Sequence, residues 1–133
     1  MKVVLDCNVV ISAGITNGVC REVLRYVLQY AVIVTTNTIE REYIDVIRRA
    51  KFRPYADAMM ALFSEVQQAA FYVEPRLSGL SLPDKDDIPY IDAAITVAAD
   101  FLITGNIKHF PARQYGTVEI VSPKEFLQRI ATI

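Results

Sequence analysis

The sequence predicts an α/β fold with a mainly parallel sheet covered by helices on both faces. Two observations carry that prediction. Short apolar runs rich in β-branched residues alternate with amphipathic helical stretches through most of the chain, the pattern of parallel strands joined by helical crossovers. The first run ends in a carboxylate, Asp6, and a helical pattern follows at once. Ligands of open α/β sheets collect at strand carboxyl ends. A carboxylate there is costly unless a cation or hydrogen-bond donors balance it.

Residues 2–5 form the first strand, with β-branching at Val3 and Val4. Asn8 is expected to cap a short helix that runs through Ser12. Gly14 and Gly18 punctuate before a second helix over 19–30, where Val23 pairs with Val27 and Leu24 with Leu28 one turn on. Residues 31–35 read as a short buried strand. Asn37 or Thr38 opens the next helix, with Ile39, Tyr43, Val46 and Ile47 on one face. Pro54 is expected to start another, with Tyr55, Met59, Leu62, Phe63 and Val66 on its apolar side. A third strand is expected over 71–74, then a loop over 76–86 broken by Ser78, Gly79, Ser81 and Pro83. Pro89 falls in the first turn of a helix that extends to about Ala99. Residues 101–104 form a strand ended by Gly105, and 118–121 the last strand. Ser122-Pro123-Lys124-Glu125 reads as a capping box that opens a C-terminal helix.

A length of 133 residues, 53% hydrophobic and 22% charged, fits one globular domain over 1–133. The apolar runs are far shorter than a membrane span requires, and the immediate strand pattern leads us to expect no signal peptide. Cys7 and Cys20 make neither a metal spacing nor a disulfide framework, which points to a reducing cytoplasm. A net charge of -1 means that nucleic-acid binding would rest on a local patch. Arg48, Arg49, Lys51 and Arg53 offer one, although cations there also suit the dipole of a helix C-terminus.

The acids carry the chemistry. Asp6 suits either a helix cap or a site residue, and its place at a strand end favours the site. Glu42 flanks the apolar stripe of its helix, with Glu40 as competitor. Asp84, Asp86, Asp87 and Asp92 crowd more acid into one stretch than a helix start needs, and a divalent cation would relieve their repulsion. Asp87 is the ligand candidate, with Asp92 as support. Asn106, after Gly105, can offer an oxygen or hold a water. His109, the sole histidine, is expected to be structural. This oxygen-rich inventory favours Mg²⁺ or Mn²⁺ over zinc.

Four segments in order resemble the PIN-domain family of metal-dependent ribonucleases. Leu5-Asp6-Cys7-Asn8-Val9-Val10-Ile11-Ser12 resembles its hydrophobic-Asp-Thr-Asn-hydrophobic-Ser opening. Glu42-Tyr43-Ile44-Asp45-Val46-Ile47 resembles its second acidic motif and selects Glu42 over Glu40. Asp86-Asp87-Ile88-Pro89-Tyr90-Ile91-Asp92 resembles the third, and Phe101-Leu102-Ile103-Thr104-Gly105-Asn106-Ile107-Lys108-His109 the fourth. The branch it looks most like is the VapC-like toxins of toxin–antitoxin pairs.

The resemblance implies a three-layer α/β/α sandwich with Asp6, Glu42 and Asp87 binding one or two Mg²⁺ or Mn²⁺ ions. Asn8 and Ser12 would orient the first acid and metal-bound water, with Asp86 or Asp92 as supporting acids. Many relatives carry Asp where Asn106 stands, and often another where His109 stands. That departure removes negative charge and weighs against a second metal. An RNA substrate, a cognate antitoxin protein, homodimers and a cytoplasmic setting are also implied, with RNA tracking the basic patch at Arg48 to Arg53. The alternative is a weakly active or inactive PIN fold that binds RNA or protein. A haloacid-dehalogenase-like phosphatase is disfavoured, because Asn8 stands where its Asp-x-Asp general acid would be.

Overall fold

The computed structural model describes residues 1–132. Six strands form one sheet: β1 (Lys2–Leu5), β2 (Val32–Thr35), β3 (Phe71–Tyr72), β4 (Phe101–Ile103), β5 (Gln114–Tyr115) and β6 (Val118–Val121). Their spatial order is β3-β2-β1-β4-β6-β5. All neighbours are parallel except β5, which pairs antiparallel with β6. Among the described residues, six α-helices accompany them: α1 (Cys7–Ile15), α2 (Val19–Tyr30), α3 (Asn37–Ile47), α4 (Ala56–Ala69), α5 (Ile88–Thr96) and α6 (Pro123–Ile130).

The chain steps from β1 outward to β2 and β3, then returns to place β4 on the other side of β1. Right-handed crossovers that advance in opposite directions put their helices on opposite faces. Helices α1, α2 and α4 accordingly pack together, and α2 meets α6, whereas α5 packs on β1, β2 and β4. The result is the expected three-layer α/β/α sandwich. Val3, Val4, Leu102, Ile103 and Ile120 are buried on the central strands, as double-sided coverage requires.

Local chemistry moves several predicted boundaries. Asp6, not Asn8, caps α1: its side chain accepts from the Asn8 N–H. Thr36 caps α3 in place of Asn37 or Thr38, accepting from the Ile39 N–H at 3.2 Å. Pro54 lies inside a 3₁₀ turn over Ala50–Tyr55, and non-helical angles at Tyr55 delay α4 to Ala56. Strand β3 stops at Tyr72, short of the proline at 75, and α5 stops at Thr96, before the left-handed Ala98 (φ 50°). The short β5 went unpredicted; its signal is Gly116 at φ 62°, which turns the chain back into β6. The capping box at Ser122 and Glu125 forms as expected.

Gly14 does not punctuate the chain but lies within α1, where that helix crosses α4. A Cβ there would stand 2.5 Å from Met59 Cγ and 3.1 Å from the Met59 Cα. Backbone cannot yield as a side-chain tip can, so Gly14→Val is expected to cost about 1–3 kcal/mol. A urea midpoint equal to wild type would show that the helices do not cross this closely.

Candidate active site

The return of the chain past β1 makes a switch point between the carboxyl ends of β1 and β4, where open α/β sheets bind ligands. A cleft of about 270 Å³ opens there. Asp6, Glu42, Asp87 and Asn106 all line it, with Asn8 and Asp86 beside them. Residues from four separate sequence segments therefore share one space.

Asp6 extends β1 through its N–H, which donates to the Ile103 carbonyl at 2.9 Å. Its carboxylate is buried, with 4% of the residue exposed. Oδ2 accepts from the Thr104 hydroxyl at 2.7 Å, and Oδ1 from the Asn8 N–H at 3.3 Å. The Thr104 hydroxyl also accepts from the Asn106 N–H at 3.0 Å. Thr104 thus ties the first acid to the fourth segment.

Glu42 reaches the cleft from the middle of α3. Its Oε1 accepts from the Tyr90 hydroxyl at 2.6 Å and the Cys7 thiol at 3.3 Å. The Tyr90 hydroxyl accepts in turn from the Cys7 N–H at 3.4 Å. Burial, reinforced by Asp6 and Glu42, pushes the Cys7 thiol far above its ordinary range, so it stays protonated. Glu40 is engaged elsewhere, by Gln67 and Tyr72.

Asp87 occupies the N-cap of α5 and is buried. Burial, with help from Asp6 and Asp84, pushes its carboxyl up to about 6 against the opposing pull of His109. His109 Nδ1 lies 2.8 Å from Asp87 Oδ2. The histidine expected to be structural therefore lines the cleft. It sits on a 3₁₀ turn, Ile107–His109, that positions it over the acid.

Other expected residues stand apart. Asp92 is buried, but its Oδ1 accepts from the Ser78 N–H and hydroxyl and anchors the loop before α5. Five residues carry it roughly 140° round the helix from Asp87. Ser12 is exposed and, among the described residues, makes no hydrogen bond to the first acid. Of the basic patch, Arg49 lines the cleft. Arg48, Lys51 and Arg53 are exposed around the C-cap of α3 and the 3₁₀ turn after it, and Lys51 stands over the Phe52 ring.

The sequence pattern of the PIN domain matches residues 2–108. The chain belongs to the PIN-domain family. The same fold occurs in a crystal structure of VapBC2 from Rickettsia felis bound to a DNA fragment from their promoter. That chain superposes with a TM-score of 0.65 over 92% of this chain and 98% of its own, at 15% identity. No curated protein matches the sequence significantly.

The donors of this PIN domain suit a hard divalent cation. Asp6 and Glu42 bring carboxylate oxygens close together, and Cys7, held as a thiol, adds no thiolate. Ligand atoms of Asp84, Asp87 and His109 lie within 4.8 Å of one another. Burial, more than the neighbouring Asp6 and Asp84, holds the Asp87 carboxyl up, and a cation beside it would offset that cost. Among the described residues, no helix is long and apolar enough to cross a membrane.

Two outcomes are expected. Thr104→Val removes a donor from a buried carboxylate and is expected to cost about 1–3 kcal/mol, whereas Thr104→Ser retains it. Equal urea midpoints for the two variants would rule out the tether. Asp87 ionises near its ordinary value when unfolded but near 6 when folded, so its ionisation destabilises the metal-free fold by a penalty that grows as pH rises from the ordinary carboxyl value to about 6 and is constant above. Asp87→Asn is therefore expected to raise the Tm at pH 8 and leave it nearly unchanged at pH 4. A gain that is equal at both pH values would contradict this.

Proposed function

We propose that this PIN domain is a Mg²⁺- or Mn²⁺-dependent endoribonuclease and the toxin of a toxin–antitoxin pair. One observation carries the reading: Asp6, Glu42 and Asp87 converge, largely buried, on one cleft at the switch point. Carboxylates so placed would hold the cation, with the Asn106 carbonyl as a further oxygen. When bound, such an ion activates water and offsets charge developing on a phosphodiester.

The chain's own residues do the positioning. Tyr90 and Cys7 hold Glu42 by Oε1, and Thr104 holds Asp6 by Oδ2. Asp6 Oδ1 takes the longer bond, from the Asn8 N–H at 3.3 Å. An adjoining groove of about 480 Å³ carries Arg41, Arg49 and Lys85 together with Glu42, Asp45 and Asp86. Arg49 belongs to both spaces, and these cations would take the phosphates that flank a scissile bond. The antitoxin partner draws support from the fold shared with a chain of the VapBC2 structure. Homodimerisation belongs to the same reading and is checked by sedimentation.

Asn106 and His109, where many relatives carry acids, favour a second reading: a PIN fold that binds RNA without cutting it. Incubation with a broad set of single-stranded and structured RNAs in Mn²⁺ separates the two. Metal-dependent cleavage is expected, and Asp6→Asn is expected to reduce it by about 100-fold or more while leaving the far-UV spectrum intact. RNA that is bound but uncut would favour the second reading. Wild-type rates in Asp6→Asn would remove Asp6 from the site.

A further inference from the structure

We propose that His109 is itself a cation ligand, and that its imidazole makes the site favour Mn²⁺ over Mg²⁺. The inference rests on the cation-binding part of the function proposed above. His109 Nδ1 and Asp87 Oδ2 are 2.8 Å apart, both closed off from solvent, yet neither makes a directed hydrogen bond among the described residues. The two atoms meet as an ion-pair contact without a well-directed hydrogen bond, and a cation that takes both would complete their pairing. The spacing suits one. Two donors, each about 2.1 Å from a shared octahedral cation, stand about 3 Å apart at adjacent corners. Asp84 offers a third ligand atom within 4.8 Å of both.

The histidine is also held for the purpose. The His109 backbone N–H donates to the Asn106 carbonyl at 2.9 Å, and Phe110, 1% exposed, pins the turn into the core. A nitrogen donor changes which ion gains. Mg²⁺ takes oxygen ligands, whereas imidazole suits first-row transition ions, for which Mn²⁺ is the mildest case. The fourth segment then supplies an imidazole nitrogen where many relatives place a carboxylate.

The chain has a single histidine, which makes the readout unambiguous. The full-length protein is titrated with Mn²⁺ alone and with Mg²⁺ alone by calorimetry, and the Mn²⁺ complex is examined by pulsed EPR for directly bound nitrogen. Wild type is expected to bind Mn²⁺ at least about tenfold tighter than Mg²⁺ and to show nitrogen coupling. His109→Gln, with an unchanged far-UV spectrum, is expected to lose that coupling and about tenfold or more in Mn²⁺ affinity. His109→Asp is expected to narrow the preference by restoring Mg²⁺ binding. Mn²⁺ bound by wild type without nitrogen coupling, or bound equally well by His109→Gln, would overturn the ligand role and leave the nuclease reading standing. No Mn²⁺ binding by wild type would overturn both.

Discussion

The hydrogen bond from the Thr104 hydroxyl to Asp6 Oδ2 spans the two strands at the switch point. A carboxylate as buried as Asp6 loses most of its hydration, a cost of several kcal/mol unless charge-assisted hydrogen bonds replace the water. Thr104 supplies one such bond, and the N-terminus of α1 supplies another through the Asn8 N–H. The cap that starts α1 and the acid that opens the cleft are therefore the same side chain. Because the Asn106 N–H leans on the same hydroxyl, the exit from β4 is set by the exit from β1. Removing this bond would loosen both walls of the site at once.

Each acid is tolerated by a different device. Asp6 and Asp87 stand at the N-caps of α1 and α5, where the partial positive charge of a helix favours an anion. Glu42 has no such help in mid-helix. It depends on Tyr90, whose hydroxyl is held in place because the residue is only 2% exposed. Tyr43, the residue after Glu42, donates to the Leu5 carbonyl and fixes α3 against the end of β1. The motif tyrosine adjacent to Glu42 is thus a spacer between helix and sheet. These devices hold the acids in place, and burial leaves the Asp87 carboxyl raised.

What was legible followed from position along an element. Asp6, Asp87 and Asn106 could be read because strand ends and helix starts are marked by local pattern, and a parallel sheet gathers those ends at one edge. Glu42 was resolved from Glu40 by the resemblance; in physical terms, Glu40 is claimed by Gln67 and Tyr72, residues far along the chain. Asp92 was misplaced because its partner, Ser78, belongs to a loop with no regular structure and no pattern to fix its path. The helical offset from Asp87 could have raised the doubt. The place of His109 in the cleft is not legible in the sequence, because a lone histidine has no local signature. Its partner lies 22 positions earlier in the chain, and only the fold brings the two together. Tyr90 and Thr104 were quoted within motifs, but their hydroxyl contacts cross between elements and leave no trace in spacing.

The charge around the cleft explains why the departure at the fourth segment is tolerable. Asp6, Glu42, Asp84, Asp86 and Asp87 already line it, against Arg49 and one histidine. A further acid at position 106 would raise the repulsion in a space of about 270 Å³. Asn106 keeps an oxygen there without the charge, and His109 adds a neutral or positive donor. A polyanion approaching this lining meets like charge, so in the proposed reading phosphate can enter only after a cation has reversed the local field. Arg41, Arg49 and Lys85 sit beside that space, where they would hold the flanking chain without competing for the acids. Cation binding and substrate binding then become one coupled event, set by the same three carboxylates.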